Sequence, residues 1–182
     1  MAHSSEGERA IFISHRAGTF ENVSDFSIGW TLSRQRLVDT ISDLNESQLN
    51  WRIYDNALSI GQMVVHVAGV EVLFASQLLD IELDEEGQRL KSSATSGVVN
   101  DNPFPYSNEE LTPQKVQELL DQSKALVEPI ITNPSPELLS KELVSALGPI
   151  ITGAGALARL SFHPAYHQGQ AYQIRNAPGF PA

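Results

Sequence analysis

The sequence predicts an all-α fold, a four-helix bundle with at least one long crossover. Three observations carry this. Four stretches repeat apolar residues at helical spacing. Two of them open on strong start signals, Ser59 with Gln62 three residues on, and Thr112 followed by Pro113. No run reads as a strong strand, and there is no internal repeat or low-complexity tract.

The totals fit one domain over residues 21–182, preceded by a flexible arm at residues 1–20. Hydrophobic residues make up 41%, enough for a core, and charged residues 19%, too few for a disordered polyelectrolyte. The net charge of −10 excludes nucleic acid as the expected partner, because phosphate binding needs clustered Lys and Arg, and disfavours an anionic membrane surface. There is no cysteine, so neither a disulfide framework nor a protein thiolate is available. The opening MAHSSEGERA lacks a signal peptide's apolar core, and no apolar run reads as a membrane span. The expectation is a soluble cytoplasmic protein. In the arm, Ile11 to Ile13 form a short apolar island, and His3 and His15 read as solvated.

The first helix is expected from Asp25 to about Leu44, capped by Ser24 or Asp25. Phe26, Trp30, Leu37, Ile41 and Leu44 form its apolar face, with Arg34, Arg36 and Asp39 mostly off it. A polar connection follows, in which Leu49, Trp51 and Tyr54 are expected to pack the loop onto the end of the bundle. The second helix starts at the Ser59–Gln62 capping box and carries Ile60, Met63, Val64, Val67, Val70, Phe74 and Leu78, with His66 in its middle. Residues 80 to 111 read as a long crossing, charged, then turn-rich, then PFPY. Phe104 and Tyr106 there either anchor the loop or wall a pocket. The third helix begins at Pro113, with Pro129, Pro134 and Pro136 expected to kink or end it. Residues 145–152 read as a turn region. The fourth helix is expected over Gly155 to Ile174, with a kink or local widening at Pro164, which removes the bond to the Leu160 carbonyl.

The chemistry concentrates in HPAYHQGQ, residues 163–170. His163 and His167 are four residues apart and so one turn apart on one helical face. Two imidazoles so placed can share a divalent metal, and His66 from the second helix makes a three-histidine site. Taken alone, His66 reads first as a core histidine bonded to a neighbour. Gln62, one turn before His66, and Gln170, three residues after His167, are candidates to orient the ligands through hydrogen bonds. Glu71 lies five residues past His66, roughly 140° round the helix, and is not expected to share its metal. Tyr166 is a weak candidate proton donor. No Walker loop or dinucleotide fingerprint is present, so no nucleotide cofactor is expected.

Trp51, the entry Ser59–Ile60–Gly61, His66 and the HPAYHQGQ run together resemble the DinB/YfiT-like family, over roughly residues 26–176. The resemblance implies an up-down-down-up four-helix bundle, a homodimer, and a divalent metal on His66, His163 and His167. Where similar members carry a second histidine and an arginine before the G-Q, this chain has Tyr166 and Gln168. Nitrogen ligands suit zinc or nickel, and also iron or copper. The resemblance further implies a metal-dependent thiol S-transferase or hydrolase. Its thiol would be a low-molecular-weight cosubstrate, since the chain has none of its own. The alternatives are a non-catalytic metal-binding stress-response protein and a dimeric helical module without turnover.

Overall fold

Ser24 opens the first helix, α1 (Asp25–Ile41), by accepting the Ser27 N–H, and Asp25 places a negative charge in the positive first turn. The computed structural model describes residues 24–182, so the arm, with Ile11 to Ile13, His3 and His15, lies outside the described residues. Trp30, Leu37 and Ile41 are buried on α1 as expected. The helix ends at Ile41 rather than Leu44, because Asn45 opens a capping box of its own with Gln48. That box starts α2 (Glu46–Asn50) inside what reads as a plain polar connection. Leu49 is buried and Trp51 meets Phe180 edge-on at 5.6 Å, but Tyr54 is exposed instead of packing down.

The central element is α3 (Ile60–Leu79), capped by the Ser59–Gln62 box and buried along nearly its whole length. By length and composition it is apolar enough to span a membrane, which corrects the expectation that no run is; 83% of its most apolar 18-residue window is buried against the rest of the protein. The helix is apolar on every side because it has neighbours on every side. One neighbour is α4 (Glu85–Ser92), an unexpected helix inside the long crossing. Asp84 caps it, Glu85 and Glu86 occupy its first turn, and Arg89 and Lys91 its last, each charge matched to the helix dipole. Gly69 of α3 lets α4 approach: a Cβ there would lie 2.6 Å from the Leu90 carbonyl and 2.2 Å from Ser93 Oγ. Further along, Tyr106 is buried under the Arg89 guanidinium, 4.1 Å from its ring centroid, so this aromatic pair anchors the loop.

Thr112 and Pro113 begin α5 (Pro113–Thr132) as the sequence predicts, and the helix passes through Pro129 before stopping. After it come α6 (Pro136–Ser140) and a small antiparallel hairpin, β1 (Glu142–Val144) with β2 (Ile150–Thr152). The hairpin replaces the expected turn region. Each strand has three residues, too few to display an alternating pattern, and only Leu143 among them is buried. Thr152 then caps α7 (Gly153–Arg175), which continues as α-helix across Pro164 without interruption.

Four long helices, α1, α3, α5 and α7, dominate this mainly helical structure. Between α1 and α7, Ser33 Oγ donates to the Ser161 carbonyl at 2.8 Å and Gln168 donates to Thr40 Oγ1 at 3.1 Å, and just past the end of α1 Asp43 is clasped by Arg175. Between α1, α3 and α5 sits a buried charged group that the apolar pattern does not foretell. Glu71 accepts from Trp30 Nε1 at 2.7 Å, Ser123 Oγ at 2.5 Å and Arg34 Nη1 at 3.3 Å. Arg34 also donates to the Leu120 carbonyl. It is therefore buried, not on the outer face where its position in the α1 pattern puts it. The full set of donors explains how a carboxylate survives in the core.

Candidate metal centre

The fold delivers His66 from α3 and His163 and His167 from α7 to one point. One ring nitrogen from each lies within 4.8 Å of the others. Nε2 of His163 and Nε2 of His167 are 3.2 Å apart. The ring centroids are 5.1 Å apart for His66 and His163, 5.0 Å for His66 and His167, and 4.7 Å for His163 and His167. The one-turn spacing on α7 sets the last distance, and the α3–α7 packing sets the other two.

His66 Nδ1 is 3.0 Å from the Ser93 carbonyl at the end of α4. A carbonyl only accepts, so Nδ1 carries the proton and the Nε2 lone pair is free. Ser93 is held in turn by its own hydroxyl, which donates to the Val65 carbonyl at 2.9 Å. Nδ1 of His163 and Nδ1 of His167 are buried with no hydrogen-bond partner among the described residues.

Burial is the main cause of a lowered pKa in all three rings. In His66 it outweighs the Ser93 carbonyl, which favours the charged form. Burial, with the neighbouring His167, His66 and Arg159, drives His163 down to about 2. Burial and His66 bring His167 to about 4, with the Gln170 side chain pulling the other way. At neutral pH all three are uncharged imidazoles, the form that binds metal. Convergent ring nitrogens and an oriented His66 tautomer fit a nitrogen-bound divalent ion.

The other candidates separate. Gln62 Oε1 accepts the Ser59 N–H at 3.2 Å, closing the α3 cap, while the contact that orients His66 comes from Ser93. Gln170 sits beside His167 on the cavity wall, where its side chain favours the charged form of that ring. Tyr166 is exposed and packs edge-on to His167 at 4.9 Å. Glu71 is engaged by Trp30, Arg34 and Ser123. Two residues were missed by sequence reasoning. Ser93 gives no signal, since its contact is tertiary and made by the backbone. Arg159 did leave one: Arg159, His163 and His167 recur every four residues.

The three histidines form part of the wall of an open cavity of about 980 Å³. Met63, Val70 and Phe74 of α3, Val98 and Val99 of the crossing, and Phe162 of α7 supply much of its apolar lining. Phe104 and Tyr106 are not on that wall.

A sequence model of the DinB superfamily matches residues 30–171. The chain belongs to the DinB superfamily. A crystal structure of a conserved protein from Enterococcus faecalis has the same fold, with a TM-score of 0.60 at 20% identity, covering 82% of this chain and 93% of the other. Comparison with curated proteins gives no match. Within this DinB chain the histidine cluster joins the second and last of the four long helices, α3 and α7.

Proposed function

We propose that this DinB protein is a divalent-metal-dependent enzyme of the thiol S-transfer or hydrolytic type, with His66, His163 and His167 as its metal ligands. The observation that carries the reading is three convergent neutral imidazoles on the wall of an open cavity. Three protein ligands beside open space is the arrangement of a catalytic site, whereas structural zinc sites are closed by four. Bound there, zinc or nickel would supply Lewis acidity and lower the pKa of a water or thiol.

The chain's own residues do the rest. Ser93 fixes the His66 ring, burial keeps all three rings neutral, and the apolar part of the wall offers a surface to an apolar substrate body. A thiol nucleophile must come from a low-molecular-weight cosubstrate, because the chain contains no cysteine. The same reading includes an up-down-down-up arrangement of the long helices, a homodimer and a cytoplasmic setting. The order of cross-helix contacts supports the arrangement. Ser33 and Thr40 of α1 meet Ser161 and Gln168 of α7 in the same direction, while Ser24 and Arg34 meet Ile131 and Leu120 of α5 in reverse.

The test is elemental analysis of untagged protein beside a His66→Ala, His163→Ala, His167→Ala variant, followed by turnover assays with thiols and electrophiles. About one metal per chain, absent from the variant, with turnover that stops on chelation, is the expected result. Metal binding without any turnover would favour the non-catalytic alternative. No metal in either protein would overturn the proposal.

A further inference from the structure

Among the described residues, Arg159 is the sole formally charged side chain on the cavity wall, and no Asp or Glu lines it. The chain as a whole carries 22 acidic residues against 12 basic ones, so a cation facing an acid-free cavity runs against its composition. Several cations in this structure are matched, Arg34 with Glu71, Arg89 with Glu110, Lys115 with Glu86, Lys141 with Asp80 and Arg175 with Asp43, while Arg36, Arg52 and Lys91, which make no ion pair with a described residue, lie off the cavity wall. Arg159 makes no ion pair and no hydrogen bond with any described residue, although it is half-buried. It sits four residues, about one helical turn, before His163 on α7, a rise of about 6 Å.

We propose that Arg159 is the anion-binding residue of this cavity, and that the ligand is a small molecule with an apolar body and a terminal oxyanion, carboxylate or phosphate. A guanidinium presents a planar fork of N–H groups that donates to two oxygens of either group. Met63, Val70, Phe74, Leu147 and Phe162 offer the apolar body a wall that no charged residue interrupts. The oxyanion then rests about one turn from the histidines, which leaves the rest of the molecule in front of them. The inference deepens the enzymatic reading by naming its substrate class.

The experiment is calorimetric titration of full-length protein with octanoate, octyl phosphate and octanol, on wild type, Arg159→Met and Arg159→Lys. Each is run with zinc-loaded and chelator-stripped protein, and zinc content is measured separately. The expected result is that the anionic ligands lose about tenfold or more in affinity in Arg159→Met, with partial recovery in Arg159→Lys, while octanol binds both alike. The loss is expected with and without zinc, so a chain that holds no metal still permits the test. Tighter binding of octanoate than octyl phosphate assigns a carboxylate, and the reverse order a phosphate. Equal octanoate affinity in wild type and Arg159→Met, or octanol binding as well as octanoate, would overturn the proposal whatever the zinc content.

Discussion

Replacing Gly69 by alanine tests whether packing between α3 and α4 sets the histidine site. The new Cβ would lie 2.2 Å from Ser93 Oγ, 2.6 Å from the Leu90 carbonyl oxygen and 2.9 Å from the Ala94 nitrogen. A rotamer change relieves the first contact but not the other two, which are backbone. To reach ordinary contact at 3.4 Å the Leu90 carbonyl must retreat by about 0.8 Å. Moving that stretch carries the Ser93 carbonyl away from His66 Nδ1, now 3.0 Å distant, and out of hydrogen-bond range. Overpacking costs about 1–3 kcal/mol, and loss of the Ser93–Val65 bond about 1 kcal/mol. Alanine returns about 1 kcal/mol through helix propensity. The net is a loss of about 1–3 kcal/mol, a fall in Tm of roughly 3–9 °C for a chain of this size. Freeing His66 from its orienting carbonyl should weaken zinc binding about 10–100-fold. Urea unfolding and a competitive zinc titration measure the two effects. Gly169→Ala is the control, since its Cβ would meet nothing within 4 Å, and it should gain stability with zinc affinity unchanged. A Gly69→Ala protein as stable as the control, with wild-type zinc affinity, would refute the coupling.

Three further outcomes are expected. Glu71→Ala leaves the Arg34 charge buried with the Trp30 and Ser123 donors unpaired, and should cost about 3–5 kcal/mol; denaturant unfolding checks this, and a loss below about 1 kcal/mol contradicts the core-network reading. Acidification should destabilise the metal-free protein. The three histidines are harder to protonate folded than unfolded, so their stabilising contribution is complete above the unfolded value of about 6.5. It declines as pH falls from there toward about 4 for His167 and about 2 for His163, with a slope of up to ~1.4 kcal/mol per pH unit per histidine. Unfolding midpoints across that window should fall in wild type and fall less steeply in His163→Gln. Finally, zinc at a hundred times its Kd should stabilise the chain by about 2.7 kcal/mol, seen as a rise in Tm that the triple histidine variant lacks.

The starts of the long helices were legible because caps are local chemistry: Ser59 with Gln62 and Thr112 with Pro113 satisfy free amides within one turn of themselves. Short elements were not. Helix α4 buries only Gly87 and Leu90, so it has no apolar stripe to read, and its capping Asp84 is lost in a run of acids. The hairpin before α7 fails for the same reason of length. Arg34 shows a different limit. A helical pattern sorts residues by polarity, so an arginine is assigned outward unless its acid is known, and Glu71 lies on another helix 37 residues away. The spacing of His163 and His167 pointed to a shared face, and the position of His66 on a second amphipathic helix to a partner. What the spacing does not contain is the carbonyl of Ser93, which reaches His66 from α4, an element the sequence pattern did not reveal.

The placement of acids gives the site its character. This is an acidic chain, yet no acidic residue lines the cavity among the described residues. Glu71 comes from the same helix as His66, but Trp30, Arg34 and Ser123 occupy its oxygens on the opposite side of the core. A carboxylate beside the histidines would raise their pKa values and neutralise part of the charge of a bound divalent ion. Without one, the rings stay neutral and such an ion keeps its full charge toward the cavity, where Arg159 adds another positive centre. Two positive centres on one cavity wall favour an anionic ligand over a neutral one of the same shape, because both attract it. The buried Glu71 network and the open histidine cluster thus divide the labour on α3: one takes the carboxylate into the core, and the other leaves the cavity free of negative charge.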